Sequence, residues 1–195
     1  MIQEVHHRVK NNLQTIAALL RMQARRAHDN GTQQALHEAI ARILSVAVIH
    51  EFLSLDESQS INIKDVCQRI VGQARQVIAP GTHVDFTIEG PSIYLPSQQA
   101  TACALVINEL VSNALKHAFP DNRSGEISIC FRLDGDDWLI LTVADTGVGM
   151  PPDLDFNNTG TLGLQLVNML TLQLNGQISM EGATGTAITI RARRS

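Results

Sequence analysis

The sequence predicts two domains: an α-helical hairpin over residues 1–56, followed by an α+β sandwich over residues 57–195. Three observations lead to this fold class. The first part of the chain has only helical periodicity, a polar segment at 55–60 interrupts it, and strand-length apolar runs alternate with helical stretches beyond. A chain of 195 residues, 44% of them hydrophobic and 17% charged, has the composition of a globular protein that buries a core.

The first helix is predicted from Ile2 to about Arg26, because its apolar residues recur at intervals of three or four. The stripe consists of Ile2, Val5, Val9, Leu13, Ile16 and Leu20. A helix break is expected over residues 29–32, where Gly31 suits a left-handed turn and Thr32 is a candidate cap.

A second helix is predicted from about Gln33 to Ser54. One side of it carries Leu36, Ile40, Ile43, Ala47 and His50. The short connection makes the two helices an antiparallel hairpin. Because two helices alone cannot cover both apolar stripes, we expect a homodimer in which two hairpins form a four-helix bundle.

The second domain is predicted to be one sheet with helices on one face. The expected helices cover residues 64–78, 97–117 and 162–174. The expected strands cover residues 61–63, 83–89, 125–133, 137–144, 177–180 and 187–192, with a hairpin turn at 134–136.

Charge and hydropathy exclude some classes of function. The net charge of −4 and the lack of a long basic run argue against direct nucleic-acid binding. No apolar run approaches the roughly 18 to 20 residues that a membrane span needs, and the amino terminus lacks the charged and apolar regions of a signal peptide. Because the chain begins almost directly on that motif, an upstream segment with a sensor is compatible with the sequence.

The three cysteines, Cys67, Cys103 and Cys130, are odd in number and lack the spacing of a metal site. They are expected to be buried free thiols in a reducing cytoplasm.

His7 is the candidate nucleophile of the first helix. At about 100° per residue it falls nearly opposite the apolar stripe, whereas His6 lies near the edge of that stripe. Glu4, Asn11 and Gln14 are its helical neighbours. An imidazole with a pKa near 6.5 is mostly neutral at pH 7 and has a nucleophilic lone pair. The alternative is an ordinary surface histidine.

The second domain contains the parts of a nucleotide pocket. Glu109 and Asn113 are four residues apart and share one helix face. Two glycine-bearing loops, at 145–149 and 160–164, supply backbone that can approach a ligand closely, and the second precedes a helix whose first amides suit a phosphate. Each piece alone is a weak signal, but their order in one chain is specific.

This order and spacing resemble the ATP-binding (GHKL) domain shared by histidine kinases, Hsp90-type chaperones, DNA gyrase and MutL. The run from Glu4 to Gln14 resembles the phosphoacceptor box of the HisKA_2 class of sensor histidine kinases, which is close to the HWE class. Residues 42–51 look like the companion segment of that family in the second helix. The resemblance covers nearly the whole chain, from Glu4 to Ile190.

The resemblance implies a role for each matching residue. Asn113 would hold Mg²⁺ and Glu109 one of its waters, while Lys116 and His117 lie at the phosphate end of the helix. Asp145 would accept the exocyclic amine of adenine. The remaining implied nucleotide contacts are Gly147 and Gly149 under the base, the second glycine box of Gly160, Thr161, Leu162, Gly163 and Leu164, and Thr186 near adenine. Residues 150–159 correspond to the ATP lid.

The function implied is that of a cytoplasmic, dimeric protein histidine kinase that uses ATP and Mg²⁺. His7 would accept the γ-phosphoryl group and pass it to an aspartate on the receiver domain of a response regulator. The better-known histidine kinases place an acid directly after the acceptor, but here Arg8 stands there. Glu4, one turn earlier, is then a candidate for orienting the imidazole.

Two alternatives remain open. One is an ATP-binding conformational clamp or scaffold without histidine phosphorylation. The other is a serine kinase resembling anti-sigma factors, although those proteins lack the paired helices with a histidine box.

Overall fold

The computed structural model describes residues 2–27, 29–55, 60–76, 78, 82–135, 137–150, 162–182 and 185–194. In the helices, the side chains of residues 2–4, 6, 7, 30, 45, 48–55 and 162 are outside this description. The described chain forms a helical hairpin followed by an α+β sandwich, as predicted. None of the described helices is both long enough and apolar enough to cross a membrane.

The hairpin consists of helix α1 (Ile2–Arg26) and helix α2 (Asn30–Leu55). The prediction that Gly31 turns the chain and Thr32 caps the second helix was wrong. Instead Asp29 caps α2, because its Oδ2 accepts the Thr32 backbone N–H at 2.7 Å and the Thr32 hydroxyl at 2.8 Å. Gly31 therefore lies inside the first turn of α2.

The sandwich begins with a short strand and a helix, β1 (Ser60–Asn62) and α3 (Ile63–Arg75). Strands β2 (Val84–Glu89) and β3 (Tyr94–Pro96) then lead into the central helix α4 (Ser97–His117). The hairpin strands β4 (Gly125–Asp134) and β5 (Trp138–Asp145) follow, and the chain ends with α5 (Leu162–Gln173), β6 (Gln177–Glu181) and β7 (Thr186–Arg193).

Five strands make the main sheet in the order β2-β4-β5-β7-β6. The β2–β4 pair is parallel and the other three pairs are antiparallel. Alternate residues of β4, β5 and β7 are buried, as the period of two requires for a sheet with one covered face. Helix α4 lies on this face and is buried along most of its length.

Two details of the sandwich differ from the sequence prediction. Helix α3 ends at Arg75 rather than near residue 78. Strand β3 was not predicted, and it pairs with β1 in a separate two-stranded ribbon. With only three residues, β3 is too short to leave a periodic pattern in the sequence.

The cysteines divide into two kinds. Cys67 and Cys103 are free and buried, and burial raises the pKa of each thiol to about 12. Cys130 is free but only half-buried, so the prediction that all three are buried was wrong for this residue. The reason is its position on β4, where it alternates with the inward-facing Ile129 and Phe131.

Candidate nucleotide site

A cavity of about 240 Å³ lies among α4, the strands β5 and β7, and the start of α5. Nine residues singled out in the sequence line this one cavity. They are Glu109, Asn113, Lys116, His117, Asp145, Gly149, Gly163, Leu164 and Thr186. Segments far apart in the chain therefore supply one concave site.

The exposed end of α4 supplies the polar wall. Glu109 and Asn113 are one turn apart on the side of α4 that faces α5. A Cβ atom placed on Gly163 would stand 2.9 Å from Glu109 Oε2 and 3.7 Å from Asn113 Oδ1. Two oxygen donors thus converge at the start of α5, and glycine is the residue that leaves them room.

This pair of oxygen atoms fits Mg²⁺, a hard cation that keeps several waters and takes few protein ligands. The described residues contain no cluster of three or more His, Cys, Asp or Glu side chains that would hold a metal by themselves. A metal here would therefore share its coordination with water and phosphate.

Asp145, at the end of β5, is oriented by the backbone around it. Its Oδ1 accepts the Gly147 N–H at 2.9 Å and the Thr186 N–H at 3.3 Å. Asp145 also stands opposite Thr186 in the β5–β7 register. Both of these hydrogen bonds from described residues are accepted by Oδ1.

Gly147 and Gly149 shape the turn after Asp145. A Cβ atom on Gly147 would come within 2.3 Å of the Ala118 carbonyl oxygen, so only glycine allows this approach to the end of α4. Gly149 has a φ of +78°, which strains any residue with a side chain.

The floor of the cavity is apolar. Val143 and Ile188 face each other across β5 and β7, and both are buried. Leu110 on α4 and Met150 after the glycine turn complete this surface. An apolar floor with one carboxylate at its edge suits a flat base that carries an amine.

Helix α2 reaches across to the polar wall through two ion pairs. Arg42 donates from Nε to Glu109 Oε1 at 2.6 Å and from Nη2 to Glu109 Oε2 at 2.9 Å. Lys116 Nζ donates to Glu38 Oε1 at 2.8 Å. The Glu109 carboxylate raises the pKa of Arg42, and the hydrogen bond from Lys116 lowers the pKa of Glu38.

Sequence reasoning missed the part that α2 plays here. Glu38 lines the cavity although it belongs to the hairpin. Arg42 was noted only as the first residue of the companion segment. Opposite charges at Glu38 and Arg42, four residues apart, indicated an exposed polar face of α2, but not its contact with α4.

Several predicted site residues lie partly or wholly outside the described residues. The backbone of His7 is helical, but its side chain is not described, so the prediction that it faces solvent stays a prediction. The same holds for the side chains of Glu4 and Leu162. Gly160, Thr161 and the predicted lid from residue 151 to 159 lie outside the described residues altogether.

An α+β sandwich with this cavity on its central helix defines a nucleotide-binding domain of the GHKL class. Residues 98–195 match the HATPase_c family, described as histidine kinase-, DNA gyrase B- and HSP90-like ATPase. Residues 4–78 match the HisKA_2 family, described as histidine kinase. The chain therefore belongs to the histidine kinases, as the resemblance implied.

Curated relatives carry the same family name. The chain is 39% identical over 194 residues to the sensor histidine kinase PdtaS of Mycobacterium tuberculosis, covering 97% of this chain and 38% of that protein. It is 27% identical to blue-light-activated histidine kinase 2 of Erythrobacter litoralis, covering 96% of this chain and 55% of the relative. The chain thus spans well under two thirds of these relatives.

Solved structures agree with the fold. The histidine kinase domain of the E. litoralis EL346 blue-light-activated kinase is similar with a TM-score of 0.74 and 27% identity, covering 98% of this chain and 89% of that one. The mycobacterial sensor histidine kinase MprB shares the fold over 69% of this chain and 97% of its own, with a TM-score of 0.54 and 19% identity.

Proposed function

We propose that this chain is the catalytic core of a protein histidine kinase that phosphorylates itself on His7 and then passes the phosphoryl group to a response regulator. The observation that carries the proposal is the convergence of Glu109, Asn113, Asp145 and Thr186 on one cavity. The second part of the proposed kinase core is the helical hairpin, which carries the histidine motif.

Each part of the cavity has a distinct task in this proposal. Asp145 accepts the adenine amine through Oδ2, which favours ATP over GTP, since guanine presents a carbonyl oxygen at that position. Val143 and Ile188 pack against the base. Lys116 and His117 stand in the last turn of α4 and bind phosphate oxygens.

The proposed metal site consists of Asn113 Oδ1 and, through a water, Glu109. When bound, Mg²⁺ neutralises charge on the phosphate oxygens, which is a main requirement of phosphoryl transfer. Leu162, Gly163 and Leu164 begin α5, and the first amides of that helix suit a phosphate. Gly160 and Thr161 directly precede this helix and extend the proposed phosphate loop.

The proposed reaction is an in-line transfer to an imidazole nitrogen. The nitrogen lone pair of His7 attacks the γ-phosphorus, the bond to the bridging oxygen breaks, and ADP leaves with the electron pair. The proton on the other ring nitrogen passes to solvent. An aspartate carboxylate of the receiver domain then attacks the same phosphorus, and the imidazole is released.

We place the domain division at residues 56 and 57, because α3 packs into the core of the sandwich through Ile63, Val66 and Ile70. The HisKA_2 match continues through this helix. A reducing cytoplasm is proposed because Cys67 and Cys103 are buried free thiols.

A homodimer is proposed from the surface of α1. Val5, Ile16, Leu19 and Met22 are about half exposed although they are apolar, and they share one side of the helix. The hairpin of one chain leaves this surface uncovered. A second hairpin would cover it in a four-helix bundle.

The test is incubation with γ-labelled ATP and magnesium, followed by acid and base treatment. We expect label that is lost in acid and kept in base, because the phosphorus–nitrogen bond of phosphohistidine is acid-labile. His7→Gln should lose the label, whereas the control His6→Gln should keep it. Acid-stable label would indicate a serine kinase, and nucleotide binding without label would indicate a conformational clamp.

A further inference from the structure

Four charged side chains form a continuous chain between α2 and α4. Along it, Lys116, Glu38, Arg42 and Glu109 alternate in sign. The two end contacts are hydrogen-bonded at 2.8 Å and 2.6 Å, and the central Arg42–Glu38 contact is longer, at 3.8 Å. We call the two α2 residues, Glu38 and Arg42, the α2 latch.

The α2 latch engages the groups that the proposed function assigns to the nucleotide. Both carboxylate oxygens of Glu109 accept from Arg42 in a bidentate pair. Glu109 is 5% exposed as a residue, so its side of this pair is shielded from solvent. Lys116, assigned to a phosphate, is held by Glu38 instead. A metal-bound water would therefore compete with Arg42 for the Glu109 oxygens, and a phosphate would compete with Glu38 for Lys116 Nζ.

The position of the latch along the hairpin also differs from that of His7. Counted from the turn between α1 and α2, the residue of α2 that lies level with His7 is near residue 49, seven residues beyond Arg42. At 1.5 Å per residue, the backbone of His7 is about 10 Å further along the hairpin. The two ion pairs with the ATP domain therefore lie nearer the hairpin turn than His7 does.

Resting on the proposed function, we propose that the α2 latch is an autoinhibitory contact that holds the ATP domain closed on α2 until magnesium-bound ATP displaces it. Arg42 competes with the metal water for Glu109, and Glu38 competes with phosphate for Lys116. Nucleotide binding releases the ATP domain from this level of the hairpin. Arg42 acts through Glu109 and is a positioning residue.

The first experiment measures binding of the non-hydrolysable analogue AMP-PNP with Mg²⁺ by calorimetry. In Arg42→Met, which keeps a long apolar stem, the dissociation constant should fall by roughly fivefold or more, because the closed state no longer holds most of the population. Arg132→Met, which removes the same charge from the outer face of β4, should leave the constant unchanged. Glu38→Gln should give a smaller fall than Arg42→Met.

The second experiment follows the Arg42 Nε–H by nitrogen-edited NMR in the full chain. Without nucleotide, we expect the Arg42 Nε–H to give a signal that is protected from exchange with solvent. The signal should disappear when AMP-PNP and Mg²⁺ are added. Arg42→Lys keeps a positive charge that can pair with Glu109. Its dissociation constant for AMP-PNP should therefore lie between those of wild type and Arg42→Met. A variant that merely misfolds would bind less nucleotide, so tighter binding separates release of a latch from damage to the fold.

The outcomes distinguish the two proposals. Equal affinity in wild type and Arg42→Met, or weaker affinity in Arg42→Met, would overturn the latch and leave the kinase proposal standing. If the protected Arg42 signal persists in the nucleotide complex, the latch proposal is likewise overturned and the kinase proposal stands. If neither protein binds AMP-PNP, the kinase proposal fails, and the latch fails with it.

Discussion

The ATP domain and the helical hairpin are stabilised in different ways. The ATP domain has one continuous core from Ile61 to Ala192 that includes fully buried residues of α4 and β4. In the hairpin, the described buried side chains are only Ala17, Ala24, Ile40 and Ala47. The ATP domain is held by apolar burial within the chain, whereas the described part of the hairpin buries few side chains.

This difference explains where regulation can act. Removing apolar area from water contributes about 25 cal/mol per Å², so this continuous core stabilises the ATP domain as one unit. The described ion pairs between the hairpin and the nucleotide wall are those of Arg42 with Glu109 and of Glu38 with Lys116. In the latch proposal, magnesium-bound nucleotide competes for these groups, and the ATP domain separates from the hairpin.

The largest predicted effect is a core substitution in the ATP domain. Ile129 on β4 has no exposed surface, so Ile129→Ala should lower the free energy of unfolding by about 2 to 5 kcal/mol. Trp138, the single tryptophan, lies in β5 and reports unfolding of this domain by fluorescence in urea. The outward-facing control Ile140→Ala should cost less than about 1 kcal/mol. If Ile129→Ala and Ile140→Ala lowered the free energy of unfolding equally, a core on only one face of the sheet would be contradicted.

The next effect concerns the base pocket. Asp145→Asn replaces a charged acceptor, so the affinity for ATP should fall roughly 10- to 100-fold and the preference over GTP should disappear. Calorimetry with both nucleotides measures this. Asp85→Asn on β2 is the control for the loss of one charge. Retained selectivity in Asp145→Asn would show that another group recognises adenine.

A change on α1 should act on association rather than on folding. Leu19 is 56% exposed, so Leu19→Glu should alter the unfolding of the ATP domain by less than about 0.5 kcal/mol. The proposed dimer should weaken by at least about tenfold, since the charge would be buried between hairpins. Sedimentation equilibrium checks this. Gln14→Glu, on the opposite side of α1, should leave the dimer intact.

The smallest effect is expected at the cap of α2. Asp29→Ala should lower the melting temperature of the hairpin slightly, because the Thr32 N–H loses its acceptor. Hydrogen bonds from Thr32 lower the pKa of Asp29, so its stabilising contribution is present above the ordinary aspartate pKa and is lost as the pH falls through the lowered value. Circular dichroism melts of wild type and variant should therefore converge in strong acid.

The fold could be predicted largely because its elements are long and periodic. Helix α4 runs from Ser97 to His117, the predicted bounds, since its apolar pattern is long and regular. The cap of α2 was placed wrongly because residues 29–32 contain several residues suited to a helix start. Only the hydrogen bonds show that Asp29 takes that role.

Nine of the residues singled out in the sequence line the cavity, but the contribution of Glu38 and Arg42 from α2 could not be predicted. The four-residue spacing of Glu109 and Asn113 predicts that both lie on one face of a helix. The Arg42–Glu109 pair joins residues 67 positions apart, and no periodicity links them. Long-range ion pairs of this kind depend on how two domains dock, which neither propensity nor pattern encodes.

The most direct test of the central claim is localisation of the phosphoryl group by mass spectrometry under alkaline conditions after incubation with ATP and magnesium. Trypsin should release a peptide that ends at Arg8 and contains both His6 and His7. Electron-transfer fragmentation should place the added phosphoryl group on His7. Its appearance on His6, on a hydroxyl side chain, or on no residue of a protein that binds ATP would contradict the account.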